Sequence, residues 1–267
     1  MFNDIQLMTK LPHKHFALIL GGSQGLGYAS ALKLAQNDWN LFIIHRDRRA
    51  DLPEVEQKFE VLKSFGGEVK SFNIDATNSE KRKELIAQLP ELLGESGKIK
   101  LLLHSIAKGN LKAMTGEVPL NHTDLQITAN AMAYSFYDWS KAVLDVNLFA
   151  KHAKLLAFTS EGNQRVWKHY AAVSVAKTSL ETLMKYMAVE FAEYNITSNC
   201  IQAGVVETQS FQMIPGHQEL KAASLQRNPF KRLTTPADVA NVVYLMSREE
   251  ANWINGTVIK ADGGESL

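Results

Sequence analysis

The sequence predicts an α/β fold, a doubly wound domain with a seven-stranded parallel sheet flanked by helices. Two observations predict it. Short strand-like runs alternate along the chain with longer helical patterns, and most of those runs are dominated by apolar residues, as strands buried on both faces of a parallel sheet are. No Pro/Gly/Ser-rich linker, internal repeat or low-complexity tract divides the 267 residues, so they read as one domain.

The strand-like runs cover residues 16–20, 41–45, 68–74, 99–104, 154–159, 197–202 and 257–260. The helical patterns between them cover 28–36, 55–62, 80–89, 125–144, 173–193 and 237–246. In the third of these, Leu85 and Leu89 stand at i and i+4, the apolar spacing of a half-buried helix. Residues 108–123 lack apolar periodicity and carry Gly109, Gly116 and Pro119; residues 207–225 are similar. Both are expected as irregular loops beside the crevice at the carboxyl ends of the strands, where long loops serve as lids.

Composition excludes several classes. Apolar residues make up 45% and charged residues 21%, values of a globular chain and not of a disordered or fibrous one. With 29 Lys+Arg against 28 Asp+Glu, no basic excess points to nucleic acid or an anionic membrane. No apolar run approaches the roughly 18 residues of a membrane span. Residues 1–15 have no apolar leader region. The single cysteine, Cys200, cannot form an intramolecular disulfide and reads as core, which favours a reducing, cytoplasmic setting. The eight histidines are dispersed, so no metal site is expected.

Directly after the first strand comes Gly21-Gly22-Ser23-Gln24-Gly25-Leu26-Gly27, opening a helix. Glycines allow a tight turn, close approach to a pyrophosphate and close packing of helix on strand. The helix N-terminus then offers free N–H groups and a positive dipole end. Strand, glycine loop and helix together give a Rossmann-like dinucleotide site, with Gly21, Ser23, Gln24, Gly25, Leu26 and Gly27 in contact with the cofactor. The second strand ends at His45, followed by Arg46-Asp47-Arg48-Arg49. Arg46 occupies the place of the acid that binds a ribose 2′-hydroxyl in NAD proteins, with Arg48 two residues on. Guanidinium groups suit a 2′-phosphate, so the expected cofactor is NADPH; a one-residue shift to Asp47 would restore NADH.

The G-x3-G-x-G spacing resembles the short-chain dehydrogenase/reductase family, and the resemblance runs over residues 15–267. It implies that Asp75-Ala76 cap the adenine. In the segment Ala203-Gly204-Val205-Val206-Glu207-Thr208 it also implies Val206 at the nicotinamide carboxamide and Thr208 by the cofactor phosphates or the carboxamide. The closing Asn255-Gly256-Thr257 and Asp262-Gly263-Gly264 are similar to the family's last strand. Most members carry Y-x3-K, but Val173 stands where that tyrosine would be. Instead Tyr170 precedes Lys177 by seven residues, close to two helical turns, so a helix beginning this early would put both on one face. The run Thr178-Ser179-Leu180-Glu181 that follows resembles the family's catalytic helix.

Y-x6-K spacing resembles the enoyl-acyl-carrier-protein reductases, as does His104-Ser105-Ile106-Ala107, whose Ser105, Ile106 and Ala107 are expected at the cofactor. Ala133-Tyr134-Ser135-Phe136 is similar to their fourth helix, and the ending Asp262 to Leu267 resembles the NADPH-dependent type III branch. Ser160 departs from the second active-site tyrosine of typical members but is found in that branch, and it also matches the catalytic serine of ketone reductases. The family's structural asparagine falls at Thr128, with Asn130 nearby. The resemblance implies NADPH-dependent reduction of the 2,3 double bond of an enoyl thioester, on acyl-carrier protein or coenzyme A, in fatty acid synthesis. Tyr170, Lys177 and Ser160 would be catalytic, and Phe211 and Met213 would line the acyl chain. A homotetramer or homodimer is implied on the same ground. Two other readings stand beside it: reduction of a ketone or aldehyde, and a cofactor-binding scaffold without turnover.

Overall fold

In a computed structural model, residues 15–267 are described. The reading of an absent leader falls almost wholly on residues 1–14, outside them. In chain order the regular elements are β1 (His15–Leu20), α1 (Gly25–Ala35), β2 (Asn40–His45), α2 (Leu52–Lys63), β3 (Val69–Asn73), α3 (Ser79–Leu93) and β4 (Lys98–His104). Then follow α4 (His122–Ala129), α5 (Ser135–Asp145), β5 (Phe149–Ser160), α6 (Ala171–Glu190), β6 (Thr197–Ala203), α7 (Gln209–Gln212), α8 (His217–Arg227), α9 (Pro236–Ser247) and β7 (Val258–Ala261).

The strands form one parallel sheet in the order β3-β2-β1-β4-β5-β6-β7. Successive side chains of a strand point to opposite faces, and here both faces are apolar. Leu18, Leu20, Phe42 and Ile44 pack with Leu85, Phe136, Trp139, Leu180 and Met184 beneath α3, α5 and α6. Ala17, Ile19, Leu41 and Ile43 pack with Leu34, Phe59, Val239 and Val243 beneath α1, α2 and α9. The winding reverses between β1 and β4, which opens the crevice at their carboxyl ends.

Three boundaries differ from expectation. The helix expected over 125–144 is interrupted by a π-helical turn, Asn130–Tyr134, between α4 and α5. Its cause is tertiary: Ser135 Oγ donates to the Ala131 carbonyl at 2.8 Å and stands 2.8 Å from Nε2 of the buried His104. The stretch 207–225 holds α7 and α8 rather than an irregular loop; α8 buries only Ser224, so it has no apolar stripe to read. β5 begins five residues early, and a register shift against β4 leaves His152 at φ 58°. Residues 108–121 carry no helix or strand, as expected. No helix of the described residues is long and apolar enough to cross a membrane.

At the opposite end of the sheet from the crevice, Lys154 is fully buried, with its Nζ donating to Asn252 Oδ1 at 2.7 Å. Burial, with Lys100 adding repulsion, pulls its ammonium from 10.5 down to about 8. Below pH 8 both folded and unfolded chains are protonated and the desolvation cost is felt in full. Between 8 and 10.5 the unfolded chain binds more protons, so the cost fades as pH rises. Lys154→Met should therefore raise the melting temperature at pH 7 by a few degrees, with the gain gone above pH 10.5. Thermal melts across that range check it; an equal gain at every pH would refute the account.

Candidate active site

The glycine loop turns directly off β1. A Cβ on Gly21 would lie 2.6 Å from the Ser105 carbonyl oxygen, and one on Gly27 would overlap the Gly21 carbonyl oxygen. Only glycine lets α1 sit this close to β1 and β4. Gln24 precedes the helix in extended conformation, its side chain does not cap it, and the first turn holds no acid. The first N–H groups of α1 thus face the crevice without a side-chain anion, the donor set that a phosphate needs. Thr208 closes the loop from above, with its Cγ2 3.6 Å from the Cβ position of Gly25. Ser23 and Val206 are buried, Leu26 half-buried. These residues fit the pyrophosphate of a dinucleotide.

Beyond the ends of β2 and β3, Arg46 Nη1 donates to Asp75 Oδ2 at 2.6 Å, and Lys108 Nζ reaches the same oxygen at 3.4 Å. Oδ1 of Asp75 accepts from the backbone and hydroxyl of Thr77 at 2.9 and 2.6 Å. Burial works to raise this carboxyl, but Thr77, Arg46 and Lys108 together hold it well below the usual range. The Asp47 carboxylate is turned onto His45 Nδ1 at 2.7 Å. Arg48 is exposed in the same turn. Ala76 is buried, and its carbonyl accepts from Trp139 Nε1 at 2.8 Å, so of the expected adenine pair only Asp75 offers a side chain at the crevice. Ser105 and Ile106 are half-buried at the switch point; Ala107 is exposed. Lys108 was not singled out from the sequence, because its meeting with Arg46 depends on three separate loops.

Ser160, Tyr170 and Lys177, expected to be catalytic, gather around the end of β5. Tyr170 caps α6 rather than lying within it, with α6 starting one residue later. Its hydroxyl stands 3.4 Å from Ser160 Oγ. Burial pushes the phenol up, opposed by the Ser160 contact, so it holds its proton near neutrality. Lys177 is buried, and its Nζ donates to the Phe158 carbonyl at 2.7 Å, two residues along the strand from Ser160. Burial, against the raising effects of Cys200 and Glu181, pulls the ammonium down to about 8. Burial and the charge of Lys177 hold His104 neutral, at about 3. Val173 lies in an apolar cluster with Ala129, Met132 and Ala176, against which Tyr170 packs. Thr128 is buried there and donates to the Asp124 carbonyl at 2.7 Å, while Asn130 is exposed.

Two supporting residues were not read from the sequence. Glu181 Oε1 accepts from Thr159 Oγ1 and Asn163 Nδ2, both at 2.6 Å, which ties the strand end and the Glu161–Asn163 turn to α6. Its place four residues after Lys177, on the same helical face, was the available clue. Gly162 is the second: a Cβ there would overlap Tyr170 Cε1. The two residues expected along the acyl chain part company. Phe211 is buried against His217, ring centroids 5.9 Å apart, and Met213 is 74% exposed.

Comparison with known proteins gives the family of the chain. The family profile described as enoyl-(acyl carrier protein) reductase matches residues 21–266. A 7alpha-hydroxysteroid dehydrogenase of Paraclostridium sordellii is 26% identical over 261 residues, 97% of this chain and 94% of that protein. An NADH-dependent enoyl-[acyl-carrier-protein] reductase of Bacillus cereus is 29% identical over 191 residues, 71% of this chain and 73% of that protein. The crystal structure of an NADH enoyl-[acyl-carrier-protein] reductase from Aquifex aeolicus superposes with a TM-score of 0.82, at 24% identity, covering 96% of this chain and 98% of that one. The chain is an oxidoreductase and belongs to the enoyl-(acyl carrier protein) reductase family of the short-chain dehydrogenases/reductases.

Proposed function

We propose that the protein reduces the 2,3 double bond of enoyl thioesters with NADPH. The observation that carries this reading is where the phenol stands: at the cap of α6 and not within the helix. The site four residues before Lys177 is the apolar, buried Val173, and the phenol is supplied by Tyr170 beside Ser160. When bound, the nicotinamide nucleotide supplies a hydride to the β-carbon. Tyr170 donates its O–H to the thioester oxygen, where negative charge develops as the enolate forms. Ser160, 3.4 Å from that hydroxyl, would act as a second donor. Lys177, with one N–H on the Phe158 carbonyl, would hold the nicotinamide ribose with its remaining donors and add positive potential to the phenol. The α-carbon then takes a proton from solvent. The carrier in this reading is acyl-carrier protein, which the Bacillus cereus relative is named for, or coenzyme A, which a 1-cyclohexenylcarbonyl-CoA reductase of Streptomyces collinus is named for.

For the cofactor, Arg46 and Lys108 gather two positive charges at the adenosine end, while Asp47, the acid that would favour NADH, is engaged by His45. Arg46→Ala should raise the KM for NADPH about ten- to a hundredfold, the worth of a charge-assisted hydrogen bond, and leave that for NADH unchanged. Equal losses with both nucleotides would refute the assignment. For assembly, Val175, Tyr186 and Val189 share one exposed face of α6, which a homodimer or homotetramer would bury.

The decisive test is crotonyl thioester with NADPH and NADH in parallel, beside a 3-oxoacyl thioester and a simple ketone. Nucleotide consumption with the enoyl substrate supports the reading. Consumption with the carbonyl compounds alone would replace it by carbonyl reduction, which the Ser160–Tyr170 contact also accommodates.

A further inference from the structure

The Glu161–Asn163 turn connects β5 to the loop that delivers Tyr170, and it is gripped from two sides. On one side Asn163 is held by Glu181 of α6. On the other, Glu161 accepts both terminal nitrogens of Arg227, at 2.8 and 2.9 Å. The same guanidinium reaches Glu265 Oε1 at 3.1 Å, and Glu265 Oε2 accepts from the Val205 N–H at 3.1 Å. Glu265 is almost wholly buried and Glu161 about three-quarters so. A planar, two-pronged fork on a carboxylate fixes orientation as well as charge, so Arg227 locks the turn in angle and in distance. Between the two grips lies Gly162, whose Cα faces the ring of Tyr170 with no room for a side chain.

Arg227 is also the last residue of α8, in the stretch that runs from β6 across the crevice. That stretch meets the glycine loop where Thr208 faces Gly25, and it meets the loop before Tyr170 where Trp167 Nε1 donates to the Pro215 carbonyl at 3.3 Å. Glu207 within it is paired to Lys221 of α8 at 2.6 Å. Thr208, Pro215 and Arg227 therefore belong to one continuous cover over the crevice. Arg227 is where its trailing end is fastened to the floor under the phenol.

We propose that Arg227 is a positioning residue for Tyr170: by clamping Glu161 to Glu265 it joins the crevice cover to the Gly162 platform and so fixes where the phenol stands. Its consequence for turnover rests on the reading of Tyr170 as the hydrogen-bond donor to the substrate. The placement of the ring does not.

The test labels the whole chain with 3-fluorotyrosine and follows the fluorine resonance of Tyr170, identified by its loss in Tyr170→Phe. In Arg227→Gln and in Glu161→Gln that resonance should shift and broaden while those of the distant Tyr28 and Tyr244 stay in place; Arg227→Lys, which keeps the charge but not the fork, should shift it too. With crotonyl thioester, kcat should fall about ten- to a hundredfold, the scale of a misplacement of about 1 Å, with the KM for NADPH unchanged. An unmoved Tyr170 resonance in folded Arg227→Gln would overturn the proposal. If that variant does not fold, Glu161→Gln, which leaves the guanidinium its Glu265 partner, decides in the same way. A wild type inactive on enoyl thioesters would remove the functional reading alone, because the fluorine resonance reports the ring without substrate.

Discussion

Replacing Tyr170 by Phe together with Lys177 by Ala is expected to lower turnover of crotonyl thioester by about a thousandfold, the scale of one oxyanion donor lost together with the positive charge that supports it. The phenol is the donor nearest Ser160, and burial keeps its proton in place at neutral pH. Lys177 is buried, and its ammonium is pulled down to about 8. Its charge is therefore mostly present at pH 7 and lost as pH climbs through 8, so the wild-type rate should fall on that alkaline limb. Tyr170→Phe alone should lower kcat more than the affinity for NADPH, whereas Lys177→Ala should weaken both. Steady-state kinetics with stopped controls for nucleotide binding measure each. Turnover like that of the wild type in the double variant would remove both residues from the mechanism.

The second large effect lies at the glycine loop. Gly27→Ala is expected to abolish measurable NADPH binding, a loss of at least about a hundredfold, with helix content preserved. The added methyl would overlap the Gly21 carbonyl oxygen and lie 2.9 Å from Ser105 Oγ. Neither obstacle is the far end of a flexible chain: one is backbone in the turn itself, the other a short side chain on the neighbouring loop. Relief requires α1 to move off β1, which withdraws the helix N-terminus from the phosphate position. Titration of NADPH fluorescence, with circular dichroism as control, reads the result. Normal binding would mean that α1 can shift without disturbing the phosphate donors.

The parts of the fold that follow from local chemistry were legible in the sequence. Ile19, Ile43 and Leu103 belong to continuous apolar runs, and each became a central strand. The glycine loop and Tyr170/Lys177 were legible because their residues are near one another in the chain. α8 was not, since it buries a single serine and carries no apolar face. The π-helical turn was not, because it depends on His104, which arrives from β4. For the same reason the Arg46–Asp75–Lys108 and Glu161–Arg227–Glu265 groups were invisible: each gathers residues from three distant segments, and pairing of that kind leaves no periodicity.

The strand order has a consequence for how the chain is made. β1 emerges first from synthesis, yet one of its two neighbours is β4, which lies beyond α2, β3 and α3. Until β4 is complete, one edge of β1 has no native partner, and the Ser105 backbone that walls the glycine loop does not yet exist. The growing polypeptide therefore carries a bare apolar strand edge from the completion of β1 at Leu20 until β4 is finished at His104, the kind of surface that chaperones shield and that seeds aggregation when they are scarce.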